Sequence, residues 1–218
     1  YAGANVGVGT NTPSINNNYF GFSAGANNPV GCGNNLFGNR AGQFVCGSNN
    51  NYFGYQAGAG CFNNTNTGCD NNFFGFKAGF YNRCGCFNNF LGRYTGSTNT
   101  TGCHNNFFGC VAGTRNTTGS HNIFFGCCTG SNNTSGSNNI FLGQAAGCSN
   151  TTGSDNIIIG RGRNTPITDG SNQLVIGVGA NDWINGNSSY FVGIGTTNPT
   201  SRLAVQGDVS ISGNLTAS

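Results

Sequence analysis

The chain has 218 residues and a net charge of +3, with charged side chains at only 6% of positions, where an ordinary globular domain carries roughly a quarter. Its basic residues are scattered rather than gathered in a stripe, which argues against nucleic-acid binding. No apolar run is long enough to insert in a membrane, and 18 Phe and 7 Tyr set at regular intervals argue against disorder, whose mark is a shortage of aromatics.

Residues 1–16 read as a degenerate lead-in or cap, with Gly-Val-Gly at Gly7–Gly9 and a proline at Pro13. From Asn17 one unit recurs: Asn-Asn, two large apolar residues, Gly, two variable residues, Ala-Gly and a polar turn, as in Asn105–His121 (NNFFGCVAGTRNTTGSH). The Gly after the apolar pair returns at Gly21, Gly38, Gly54, Gly75, Gly92, Gly109, Gly126, Gly143, Gly160, Gly177 and Gly193. The intervals are 17, 16, 21, six of 17, and 16. A short fixed period marks a solenoid. Apolar runs of two to four residues between Asn and Gly have strand spacing and turn punctuation, and Gly and Asn are poor helix formers. The expected fold is all-β, a parallel β-solenoid over residues 17–193. Its coils of about 17 residues would stack about 4.8 Å apart into a rod on the order of 50 Å long. The interval Gly54 to Gly75 holds four extra residues within Gly60–Thr67, expected as a surface loop.

Two apolar columns run through the repeats. Directly before the Gly stand residues such as Phe74, Leu91, Phe108, Phe125 and Leu142. One place earlier stand Phe73, Phe90, Phe107, Phe124 and Phe141. Adjacent strand residues point to opposite faces, so one column fills the coil and the other looks outward, with the choice between them open. A large apolar side chain left in water forgoes about 1.5–3 kcal/mol, and a whole stripe roughly 15–30 kcal/mol. So large a patch is a binding surface, and the same stripe on other copies of the chain is its simplest cover.

The Asn pairs suit amide ladders that bond up and down a stack. His104 and His121 share a repeat position with Asp70, Asn138, Asp155 and Asn172, a mixture that reads as a solvated turn. The sharper alternative is a metal held by these histidines between symmetry-related chains. Eleven cysteines are an odd number, against a closed intrachain framework. Cys69, Cys86 and Cys103 are replaced in the later repeats by Ser120, Ser137, Ser154 and Ser171, so their position reads as one for a small filler. Stacked disulfides and a zinc cluster of Cys69, Cys84, Cys86 and Cys103 remain as alternatives. The only acids, Asp70, Asp155, Asp169, Asp182 and Asp208, are too widely spaced for paired-carboxylate chemistry. No enzyme, cofactor or catalytic residue is expected.

Residues 194–218 lose the period. Asn198-Pro199 marks a turn, and Arg202–Ser212 alternates apolar and polar residues, which reads as a β-stalk or neck leading to a further C-terminal region.

The repeat N-N-x-F/I-G-x-x-A-G…N-T-T-G-S resembles the Gly- and Asn-rich repeats of phage tail-fibre and related virion appendage proteins. It is also similar to the head repeats of trimeric autotransporter adhesins. The tail VGIGTTNPTSRLAVQGDVSISGNLTAS resembles the junction before a self-cleaving intramolecular chaperone of the endosialidase type. The resemblance implies left-handed β-roll coils in a homotrimeric fibre, on a virion or otherwise extracellular. It implies a structural and adhesive role, with the chain itself, other fibre or baseplate proteins, and a host-surface glycan or protein as partners. The expected receptor patch is Phe22, Tyr55, Phe76, Phe80 and Tyr81, beside Arg40 and Lys77. Two other functions fit the same scaffold: a cell-made adhesin or self-assembling filament, and an ice-binding array of the Asn-Thr-Thr columns (Asn99–Thr101, Asn116–Thr118, Asn150–Thr152).

Overall fold

A computed structural model describes residues 15–27, 30–60, 66–179, 181–210 and 212. The lead-in over residues 1–14, the middle of the expected loop (61–65) and the end of the tail (211 and 213–218) lie outside the described residues. Ten short strands stack in parallel: β1 (Asn18–Phe20), β2 (Asn35–Phe37), β3 (Asn51–Phe53), β4 (Asn72–Phe74), β5 (Asn89–Leu91), β6 (Asn106–Phe108), β7 (Ile123–Phe125), β8 (Ile140–Leu142), β9 (Ile157–Ile159) and β10 (Leu174–Val178). Each pairs with the strand one repeat away, Phe73 with Phe90 and Phe90 with Phe107, so the sequence period is the coil period. The described residues hold no helix, and hence none long and apolar enough to cross a membrane.

Each coil turns its corners at positive φ. Asp70 (φ 58) leads into β4, Gly75 (φ 139) ends it, and Lys77 (φ 55) and Gly79 (φ 56) complete the next bend. Two of these glycines are demanded by contact as well as by φ. A Cβ on Gly75 would stand 2.4 Å from the carbonyl oxygen of Gly92 in the next coil, and one on Gly79 would stand 2.3 Å from the Phe73 ring. The coils therefore touch backbone to backbone at one corner, and the core ring lies flat on a glycine at the other.

The second residue of each strand is the one that points inward. Leu36, Tyr52, Phe73, Phe90, Phe107, Phe124, Phe141, Ile158 and Val175 form a fully buried column beside Ala41, Ala57, Ala78, Ala112 and Ala146. Rings in this column stack face to face, Phe73 on Phe90 at 4.8 Å and Phe90 on Phe107 at 4.9 Å. Burial pushes the Tyr52 phenol well above its ordinary range, and the Asn66 amide donates to its hydroxyl at 3.2 Å.

The rest of the core is polar. From β2 to β9 the Asn preceding each strand is buried: the backbone N–H of Asn88 donates to Oδ1 of Asn71 at 3.0 Å, and Nδ2 of Asn88 donates to the Gly102 carbonyl at 2.9 Å. A second buried column begins each Asn-Thr-Thr turn. Nδ2 of Asn99 donates both to Oδ1 of Asn82 at 2.7 Å and to the Gly102 carbonyl at 2.9 Å. These amides satisfy turn carbonyls that the thin coil would otherwise bury unpaired, a penalty of about 1–3 kcal/mol each. The Asn pairs thus form the expected ladder, and the turn asparagines form one that was not anticipated.

The stack ends one coil earlier than the spacing suggests. After β10 the chain reverses at Gly179 (φ 62) into β11 (Asn181–Gly186), which pairs antiparallel with β10 and with β12 (Val192–Ile194). Residues 187–193 are therefore a return strand and its loop, not an eleventh coil. The short loop at Gly179, between β10 and β11, favours a hairpin. Strand β13 (Leu203–Val205) then pairs in parallel with β12, so the tail continues the same sheet. An Arg163–Asp182 ion pair, largely buried on both sides, fastens β11 to the last coil.

Candidate functional site

With the second residue of each strand inside, its first and third residues face out. The third forms the column Phe20, Phe37, Phe53, Phe74, Leu91, Phe108, Phe125, Leu142, Ile159 and Ile176. Within it Phe20 is 72% exposed, Phe74 38% and Phe125 59%. The rings of Phe37, Phe53 and Phe74 stack at 4.8 Å with 3° between planes, so each covers one face of the next and leaves its edges in water. Of the ten residues expected in the two columns, Phe73, Phe90, Phe107, Phe124 and Phe141 are core. Phe74, Leu91, Phe108, Phe125 and Leu142 are the outer stripe.

The first strand position flanks this stripe and changes along the rod. From β1 to β6 it is Asn, and Nδ2 of Asn72 donates to Oδ1 of Asn89 at 2.7 Å, as Asn89 does to Asn106. From β7 on it is Ile123, Ile140, Ile157 and Leu174, which widens the apolar face to two residues.

The expected receptor residues are drawn together in part. Tyr55 and Phe76 stack at 5.2 Å, Phe76 meets Tyr94 edge-on at 5.2 Å, and Phe80 meets Tyr81 edge-on at 4.6 Å. The Lys77 ammonium lies 5.3 Å from the Phe80 ring centre and 5.6 Å from that of Phe76, and the Arg93 guanidinium lies 4.8 Å from that of Tyr94. Tyr94 and Arg93 belong to this cluster, although sequence spacing did not single them out. Phe22 stands apart, because Asn39 occupies the same position in the coil between it and Tyr55.

His104 and His121 occupy left-handed corners (φ 58 and 59) and stack on each other at 4.8 Å, with Phe87 next in the column at 4.9 Å from His104. Among the described residues no three His, Cys, Asp or Glu side chains are grouped as a metal site. Cys69, Cys86 and Cys103 are free thiols with a positive task. The backbone N–H of Cys69 donates to Sγ of Cys86 at 3.1 Å, and that of Cys86 to Sγ of Cys103 at 3.2 Å. Ser120 and Ser137 continue the ladder through hydroxyls at 3.0 Å. The position thus takes a small acceptor, sulfur or oxygen. Burial pushes the Cys86 thiol up, in keeping with its S–H donating to the Cys84 carbonyl at 3.5 Å. In the Asn-Thr-Thr turns the Asn faces inward and the first Thr hydroxyl donates to the next coil, Thr100 to the Thr117 carbonyl at 2.9 Å.

Compared with protein-family models, with curated proteins and with solved structures, the chain matches none. Its function is therefore argued from its own surfaces.

Proposed function

We propose that this chain is a structural and adhesive segment of a virion appendage of the tail-fibre kind. Three copies would wind about a shared axis with their strand faces turned toward one another. The observation that supports this reading is the outer stripe: a single chain leaves Phe20, Phe37, Phe74, Phe125 and Ile159 exposed in one line, and an apolar patch of that length is ordinarily hidden by a partner. The resemblance of the repeats and of the GIGTTNPTSRL tail to phage fibres supplies the number three and the left-handed hand of the coil. In this reading the protein is not an enzyme and needs no cofactor. It acts outside the cell and holds a rigid rod between other fibre or baseplate proteins and a host-surface glycan or protein.

Native mass spectrometry or light scattering, with and without reductant, tests the assembly. A trimer in both conditions is expected, and a soluble monomer would remove the basis of the reading. The double variant Leu91→Lys/Phe108→Lys places charge in the stripe and is expected to yield folded monomers.

A further inference from the structure

In one coil the two variable residues after the strand Gly are both cysteine. Cys127 and Cys128 follow Gly126, where the neighbouring coils carry Cys110-Val111 and Gln144-Ala145. They are the central residues of a β-turn that the Thr129 N–H closes on the Gly126 carbonyl at 3.4 Å, with Cys128 at φ 58. Neighbouring side chains in a strand point to opposite faces, whereas this turn brings the two Sγ atoms to 3.4 Å. The adjoining coils hold the turn from both sides. Cys128 N–H donates to the Cys110 carbonyl at 2.9 Å, and the Cys127 carbonyl accepts from Ala145 N–H at 2.8 Å. Both thiols are free, with Cys127 exposed and Cys128 half-buried.

Three chemistries suit a pair of thiols, and the geometry separates them. A direct disulfide brings the sulfurs to about 2.05 Å and usually keeps its Cα atoms about 4.4–6.8 Å apart. Adjacent Cα atoms across a trans peptide lie only about 3.8 Å apart, so that bond would be strained. Structural zinc takes four ligands, with its cysteines deprotonated. This pair supplies half of that set, and among the described residues no three His, Cys, Asp or Glu side chains are grouped as a metal site. The hydrogen bond with Cys127, and then burial, push the Cys128 thiol up, which opposes the proton loss a metal demands. A trivalent arsenic that carries one carbon substituent needs two further partners, prefers sulfur, and takes up the thiols with no net release of protons. Two sulfurs already in contact across one turn are placed for a single bridging atom.

We propose that Cys127 and Cys128 together form a capture site for a trivalent organoarsenical, held by two As–S bonds across the turn. Two As–O bonds of the hydrated arsenical and two S–H bonds break, two As–S bonds form, and the thiol protons leave with the oxygens as two waters. Arsenic stays trivalent and sulfur is not oxidised, so no oxidant or reductant takes part. Both sulfurs come from one turn, so the site does not depend on how many copies assemble. The second As–S bond closes within the chain at high effective concentration, an advantage of about 10²–10⁴-fold over a single bond.

The test is titration of the intact, reduced protein with phenylarsine oxide, read by native mass spectrometry and by alkylation mapping of the cysteines. One phenylarsenic group per chain is expected at equimolar reagent, with Cys127 and Cys128 shielded from iodoacetamide and freed again by dithiothreitol. Cys69, Cys86 and Cys103 are the internal control. They stand one coil apart, about 4.8 Å, and are expected to gain no shielding. Cys128→Ser is expected to fold, because the first coil carries Ser23 at that place with φ 54, and circular dichroism checks it. Cys128→Ser and Cys127→Ser each leave one As–S bond and are expected to weaken capture by about a hundredfold or more. Excess zinc ion is expected to leave the adduct intact. No adduct at equimolar reagent, shielding of other cysteines in place of this pair, capture undiminished in either variant, or displacement by zinc would each overturn the assignment.

Discussion

The coils of β1–β6 and those of β7–β10 share their strand register and buried columns and differ in the chemistry of the first, outward strand position. In the first set that position is an Asn bonded to the Asn of the next coil, Asn51 to Asn72 at 2.7 Å. In the second it is Ile or Leu, which forms no such bond. The backbone does not register the change: Asn72 N–H donates to the Asn88 carbonyl at 2.8 Å, and Ile140 N–H to the Asn156 carbonyl at 2.8 Å. Coil shape is thus held by the main chain, the buried asparagines and the glycine corners. The outer face is left free to be an amide ribbon at one end and a broad apolar strip at the other.

The sharpest way to break this comparison is to cut the shared core in each half. Phe90→Ala and Phe141→Ala are each expected to cost about 3–5 kcal/mol in denaturant unfolding. Unequal losses would show that the halves are not supported alike. Asn105→Ala and Asn139→Ala come next. Each removes an acceptor for a backbone N–H and a donor to a turn carbonyl, for about 2–4 kcal/mol each by the same measurement. Exchanging the outer chemistry, Asn72→Ile and Ile140→Asn, is expected to move stability by no more than about 1 kcal/mol. Self-association should respond instead, with Ile140→Asn weakening it when followed by sedimentation. The smallest effect belongs to the end of the stack, where the Asp169 carboxylate accepts from the Thr151 N–H at 2.5 Å and the Thr152 N–H at 3.1 Å. Those bonds hold its carboxyl below the usual range. The tie is therefore present at neutral pH and is lost as pH falls through that lowered value. Faster amide exchange at Thr151 and Thr152 below the ordinary carboxylate range is expected, and no change in Asp169→Asn.

The period, the strand positions and the Asn ladder were legible because each repeats a residue type at a fixed offset. Which apolar column lies inside was not, since Phe73 and Phe74 have the same hydropathy and only the corner geometry at Asp70 and Gly75 orients them. The buried role of Asn82, Asn99, Asn116 and Asn133 was hidden for a related reason. A polar residue beside Thr-Thr-Gly reads as a solvated turn until the coil proves too thin to leave it outside. The hairpin at β11 was missed because SYFVG imitates the apolar pair and Gly of the repeat.

A stack in which every coil hands the same bonds to the next has no natural length. Removing 17 residues would rejoin Phe90 to Phe124 much as Phe107 joins them now, so such a gene can gain or lose whole rungs and keep a sound product. The same sameness invites misthreading, with a chain settling one rung out of step along its own copy or a neighbour's. The irregular steps of 16 and 21 residues and the reversal after β10 spoil the match for every alignment but one, and so act as registration marks on an otherwise uniform ruler.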